Sequence, residues 1–122
     1  MGNGILVVDD EELILDVIKD SLELGGYESW TASNGEEAMR LFHENDPDLV
    51  ITDARMPGMD GYELSRLIRR ESSVPIMMLT GVVPQTDDSE GAKAVNGYLR
   101  KPIQIGDLLA KVEEMMNRAA TA

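Results

Sequence analysis

Five short apolar runs recur along the chain, and stretches of helical period separate them. Ile5-Leu6-Val7-Val8, Leu49-Val50-Ile51-Thr52 and Ile76-Met77-Met78-Leu79 are continuous rather than alternating. That pattern fits strands covered on both faces. Residues 27–32 and Gly97-Tyr98-Leu99-Arg100 complete a set of five strands; the former is more polar and reads as an edge. Leu13, Ile14, Val17, Ile18 and Leu22 recur at three- and four-residue spacing, which predicts a first helix, stopped by Gly25-Gly26. Ser33-Asn34-Gly35-Glu36 resembles a capping box and opens a helix carrying Ala38, Met39, Leu41 and Phe42, which ends before Pro47. Leu64, Leu67 and Ile68 mark a third helix. Ile105, Leu108, Leu109, Val112, Met115 and Met116 mark a last one, and residues 118–122 lack a pattern and are expected to fray.

Residues 84–91 should hold a fourth helix but carry no apolar stripe, and Thr, Asp, Ser and Gly are poor helix formers. A short or irregular helix is expected there. Strands alternating with helices imply one parallel sheet with right-handed crossovers. With no internal repeat and no long linker, 122 residues form one domain, residues 1–122, its core spanning about 4–117.

Charge narrows the partners. Eleven Lys and Arg against 23 Asp and Glu give a net charge of −12. That balance opposes direct binding to nucleic acid or to anionic membranes and favours a protein partner with a basic surface. No cysteine is present, which excludes disulfides, thiol catalysis and zinc–thiolate sites. The start has no basic n-region and no run reaches membrane-spanning length, so neither a signal peptide nor a spanning helix is expected; the setting these features suit is the cytoplasm.

The candidate chemistry sits where the apolar runs stop. Asp9 and Asp10 follow the first run, Asp53 the third, Thr80 closes the fourth and Lys101 follows the fifth. In a parallel sheet all five groups meet at the carboxyl edge, where open α/β sheets bind ligands. An acidic site shared by the first and third strands favours the strand order 2-1-3-4-5, whose switch point lies between them. Three carboxylates repel one another unless a cation joins them, and Mg²⁺ accepts such oxygen ligands. An aspartate can attack phosphorus and form an acyl phosphate; a hydroxyl and a lysine suit the oxygens of that product. Blander roles compete for each residue. Asp9 and Asp10 could cap the following helix, Asp53 could start a turn, Thr80 could simply end its strand, Lys101 could be solvated and Tyr98 could be core packing. His43, the only histidine, reads as a surface residue, and the eight methionines read as core.

Taken together, Val7-Val8-Asp9-Asp10, Asp53 with Met56-Pro57-Gly58-Met59-Asp60-Gly61, Thr80 and Lys101-Pro102 resemble the receiver domain of two-component response regulators, chemotaxis regulators among them. The resemblance spans about residues 4–117. It implies a flavodoxin-like three-layer α/β sandwich with five parallel strands in the order 2-1-3-4-5 and about five helices. It implies that Asp53 takes a phosphoryl group from a phosphohistidine on a sensor histidine kinase or histidine phosphotransfer protein. Mg²⁺, or Mn²⁺ in its place, would be held by Asp10, Asp53 and the backbone carbonyl of Arg55, with Asp9 acting mainly through water. Thr80 and Lys101 would bind the phosphoryl oxygens, and Tyr98 matches the aromatic switch position. The modified surface would then act on an output partner or domain. Such a domain is modified and slowly loses the group again, and is not a turnover enzyme.

The sequence departs from this pattern in places. Ala94 stands where receivers usually have a turn glycine, Ile103 where phenylalanine is frequent, and the polar segment 84–94 implies weak anchoring before phosphorylation. Arg55, two residues past Asp53, is within reach of a phosphoryl group there. Three other classes fit less well. A phosphatase with an aspartate nucleophile needs an Asp-x-Asp pattern after the first strand, which Asp9-Asp10-Glu11 does not supply. A dinucleotide-binding domain needs a glycine-rich turn there. A pure interaction module would have no use for the full acidic set beside Thr80 and Lys101.

Overall fold

The computed structural model describes residues 3–82 and 90–121. The continuous apolar runs become strands because both faces of the sheet are covered. β1 (Gly4–Val8), β3 (Leu49–Asp53) and β4 (Ile76–Thr80) are buried at every position. Successive side chains point to opposite faces, so each run feeds two cores. Ile5, Val7, Leu49, Ile51, Met77 and Leu79 pack on one face with residues from α1 (Glu12–Leu24) and α5 (Ile105–Thr121). Leu6, Val8, Val50 and Ile76 pack on the other with α2 (Gly35–Asn45) and α3 (Gly61–Arg69).

All four strand pairings are parallel, and the order is β2-β1-β3-β4-β5, with β2 (Glu28–Ala32) and β5 (Gly97–Arg100) at the edges. This is the expected three-layer sandwich with its switch point between β1 and β3. Methionines 56, 77, 78 and 115 are buried, as expected. Ile103, in place of the frequent phenylalanine, packs against the α1/α5 core. Among the described residues, no helix is long and apolar enough to cross a membrane.

The structure corrects several local expectations. The first helix has the predicted period, but its inward face is Leu15, Ile18 and Leu22, with Ile14 packed partly against the core. Leu13 and Val17 face outward, 80% and 50% exposed. The cap of α2 is displaced by one residue. Asn34 accepts from the Glu37 N–H at 2.8 Å, while Glu37 Oε1 accepts from the Ser33 N–H at 2.8 Å. Glu36 takes no part in that exchange. Helix α5 extends to Thr121.

Helix α4 spans only Glu90–Lys93. The polar segment read as weakly anchored falls largely outside the described residues. The chain just beyond α4 is fastened by a residue the periodicity did not single out. The Arg69 guanidinium donates to the carbonyls of Ser72, Val74 and Ala94 and to Asn96 Oδ1, at 2.7–3.0 Å. Asn96 Oδ1 also accepts from the Ile76 N–H, so one arginine ties the end of α3 to the entries of β4 and β5. Ala94 is buried in this clasp, at the position where glycine was expected.

Candidate functional site

The strand register carries the five predicted groups to one edge. Val8 pairs with Thr52, Asp53 with Leu79 and Thr80 with Arg100. The ladder continues one step past the strands. Asp9 N–H donates to the Ala32 carbonyl, Ala54 N–H to Leu79 and Lys101 N–H to Thr80, at 2.9–3.1 Å. Residues 9 and 53 therefore leave the sheet at one level, with Thr80 one residue and Lys101 two residues beyond it.

Asp9, Asp10 and Asp53 bring carboxylate oxygens within 4.8 Å of one another. Asp9 is fully buried and Asp53 is 6% exposed, while Asp10 lies at the surface. The Lys101 ammonium approaches Asp53 Oδ1 at 3.0 Å and Asp9 Oδ2 at 3.6 Å. These groups, except the enclosed Asp9, line a cavity of about 1020 Å³ with Arg55 and Thr80. Glu11 and Tyr62 also line it, which the sequence pattern did not foretell. The signal for Glu11 was its place in the acidic run after β1.

The capping role offered for the paired aspartates is not realised. The N-cap of α1 is Glu11, whose side chain makes no capping bond. Asp9 Oδ1 instead accepts from the Glu11 N–H at 2.9 Å. Its other oxygen, Oδ2, is buried and has no hydrogen-bond partner. A buried acceptor of this kind is costly unless something compensates it. Burial pushes the Asp9 carboxyl above its ordinary value; the charges of Asp53 and Asp10 add to this, while the Glu11 N–H and Lys101 oppose it. For Lys101, burial alone acts downward, but the hydrogen bond to Asp53 and the charges of Asp9, Asp53 and Glu11 outweigh it and raise the ammonium above its ordinary value. An oxygen without a hydrogen bond, offset only by the Lys101 ammonium at 3.6 Å, and the crowded negative charge are the features a hard divalent cation satisfies.

Asp53 is the last residue of β3 rather than a turn initiator. The loop after it is held short by glycine. Gly58 adopts a left-handed φ of 78° after Pro57, and the Gly61 N–H donates to the Ala54 carbonyl at 3.0 Å. A Cβ on Gly61 would meet the carbonyl oxygen of Asp53 itself. Asp60 then caps α3 by accepting from the Glu63 N–H at 2.8 Å. Gly61→Ala is accordingly expected to lower stability by ~1–3 kcal/mol, the range for overpacking, despite alanine's better helix propensity. Urea denaturation measures this, and an unchanged midpoint would show that the loop yields freely.

Thr80 lies at the cavity, but its hydroxyl is engaged locally. Oγ1 donates to the Val82 carbonyl at 3.0 Å and accepts from the Val82 N–H at 3.2 Å. Tyr98 is half-buried on edge strand β5, in register with Met78. His43 is away from the cavity, with Nε2 2.6 Å from Glu71 Oε1, as a surface histidine would be.

This arrangement matches known proteins closely. Residues 5–113 match the family described as the response regulator receiver domain. The chain is 41% identical over 116 residues to the probable transcriptional regulator ycf27 of Porphyra purpurea, an alignment covering 94% of this chain and 48% of that protein. It is similar to the solved response regulator receiver domain protein of Clostridium thermocellum, with 36% identity, a TM-score of 0.87 and coverage of 99% and 98% of the two chains. A CheY-like receiver domain protein of Methanospirillum hungatei superposes with a TM-score of 0.89 at 28% identity, covering 99% of this chain and 98% of that one.

The chain therefore belongs to the response regulator receiver domain family. Accepting a phosphoryl group is the general function of that family. The chain spans about half the length of the curated relatives it matches.

Proposed function

We propose that Asp53 is the phosphoacceptor and that a phosphohistidine on a sensor histidine kinase or histidine phosphotransfer protein is the donor. The observation carrying this reading is the cluster of three carboxylates within 4.8 Å, with Lys101 at 3.0 Å from Asp53. An oxygen of Asp53 forms the new bond to phosphorus; the donor's N–P bond breaks, and its electron pair stays on the imidazole nitrogen. Asp10, Asp53 and the Arg55 carbonyl would hold Mg²⁺, or Mn²⁺, with Asp9 supporting it through water. Bound there, the ion would offset the carboxylate repulsion and polarise the incoming phosphoryl group.

Lys101 already touches Asp53, so it is poised to neutralise a phosphoryl oxygen at that position. Thr80 must give up its bond to the Val82 carbonyl before its hydroxyl can donate to the product. That exchange is a physical basis for a switch, since it frees the turn after β4 from its side-chain bond. Tyr98, on the neighbouring strand, is the residue we assign to follow it. Arg55 sits exposed at the cavity rim, where it can influence loss of the group. The domain is modified once per signalling cycle and acts on an output partner or attached domain, rather than turning over a substrate. A cytoplasmic setting suits this role and the absence of cysteine.

The outward face of α1 supports a helical donor surface. Leu13, Val17 and Leu24 are 80%, 50% and 89% exposed and recur at helical spacing, on a helix that begins two residues past Asp10. Leu13→Asp with Val17→Asp is expected to slow transfer from a cognate kinase at least about tenfold, the loss of one or two apolar anchors. Labelling by acetyl phosphate, which needs no docking, should be unchanged. An equal loss with both donors would remove this surface from the account. The phosphoacceptor assignment itself is tested by the Asp53→Asn variant discussed below.

A further inference from the structure

A second cavity, of about 280 Å³, lies on the α3/α4 side of the domain and is lined by Arg66, Arg69, Arg70, Lys93 and Ala94. Four of the chain's 11 basic residues thus surround one hollow on a protein of net charge −12. Arg69 is committed to the clasp described above and forms the wall. Arg66, Arg70 and Lys93 make no ion pair with any acid among the described residues, although Asp and Glu outnumber Lys and Arg by 23 to 11. Arg66 and Arg70 stand four residues apart across the end of α3, a spacing at which like charges repel. The dipole of α3 accounts for basic residues at its C-terminus. It does not account for Lys93, which arrives from a different element at the same hollow.

We propose that this hollow is a binding site for a small phosphate-bearing anion, free phosphate or the phosphate of a small ester. The wall of the hollow is mostly side-chain stem, so the charged heads of Arg66, Arg70 and Lys93 would meet a phosphate at its mouth; guanidinium groups suit phosphate oxygens because their N–H fork donates two parallel bonds. A volume of about 280 Å³ holds a phosphate together with a small ester substituent. The overall charge favours a small occupant over a polyanion or an acidic protein. A large anion meets the field of the whole acidic surface, whereas a small one senses charges within about one Debye length, ~8 Å at physiological salt. Arg69 links the hollow to the start of β4, the strand that ends at Thr80, so occupancy there is connected by direct hydrogen bonds to the strand bearing the switch hydroxyl.

The test is an amide NMR titration of the whole chain at fixed ionic strength, with chloride as the reference salt. Inorganic phosphate and adenosine monophosphate are the two probes, and a glutamate hexapeptide is the third arm. Saturable shifts at residues 66–70 and 91–96 with either phosphate probe are expected. A preference for one probe tells free phosphate from a phosphoester. Arg66→Gln with Arg70→Gln should weaken binding at least about tenfold, since each removes a charge-assisted hydrogen bond, while labelling by acetyl phosphate stays at the wild-type level and reports an intact fold. Lys93→Gln should weaken it in the same direction. Shifts near Lys101 report the acidic cavity separately. Shifts no larger than chloride produces, shifts indifferent to the arginine substitutions, or saturation by the peptide alone would each overturn the proposal.

Discussion

Asp53→Asn is expected to reduce labelling by acetyl phosphate, or by a cognate phosphohistidine donor, to background while leaving the domain folded. The substitution removes the nucleophilic carboxylate and keeps its shape. The asparagine carbonyl can still accept from Lys101, which lies 3.0 Å from Asp53 Oδ1. It also takes one negative charge out of a cluster whose oxygens lie within 4.8 Å, so the variant should melt no lower than the wild type without Mg²⁺. Circular dichroism melting and acid-gel labelling measure the two effects on one sample. Stable labelling of the folded variant would assign phosphate acceptance to another residue and undo the proposed chemistry.

Asp9→Asn is expected to show what the acidic cluster costs in the absence of a cation. Asp9 is fully buried, and its Oδ2 has no hydrogen-bond donor. An asparagine keeps the bond from the Glu11 N–H and removes one buried negative charge from the cluster, at the loss of the 3.6 Å ion pair between Oδ2 and Lys101. Without Mg²⁺ the variant should gain ~1–2 kcal/mol, about 4–8 °C for a domain of this size. The stabilisation that Mg²⁺ confers on the wild type by preferring the folded state should shrink in the variant. The pH dependence has a definite sign. The Asp9 carboxyl is raised above its ordinary 3.8 in the folded chain, so the folded state holds its proton more tightly than the unfolded one. The corresponding stability is present below 3.8 and is lost as pH rises through the raised value. The asparagine variant should lack that decline. A lower melting point without Mg²⁺, or an undiminished response to the ion, would mean that the buried carboxylate is compensated in a way the geometry does not reveal.

The legible parts of this protein were those set by local pattern. Strands buried on both faces leave continuous apolar runs, so β1, β3 and β4 were readable, and with them the strand-end positions of Asp9, Asp10, Asp53 and Thr80; Lys101 follows the half-buried edge strand β5. Shared function at β1 and β3 then implied the strand order. What escaped depends on contacts between distant residues or on faces that periodicity cannot tell apart. Period alone could not say that Leu13 and Val17 point outward while Leu15 points in. Glu37, not Glu36, completes the α2 cap because the helix begins one residue later than the motif suggested. The Arg69 clasp joins residues 25 and 27 positions away in sequence. The cationic hollow needs Lys93 brought beside α3 by the fold, and no window of sequence contains it.

The single most direct measurement is peptide mapping by mass spectrometry after incubation with acetyl phosphate, with and without Mg²⁺. One phosphoryl group should appear on the peptide containing Asp53, and chelation should abolish it. A phosphoryl group elsewhere, or on Asp53 to the same extent without any divalent ion, would contradict the reading of residues 9, 10, 53 and 101 as one metal-assisted centre.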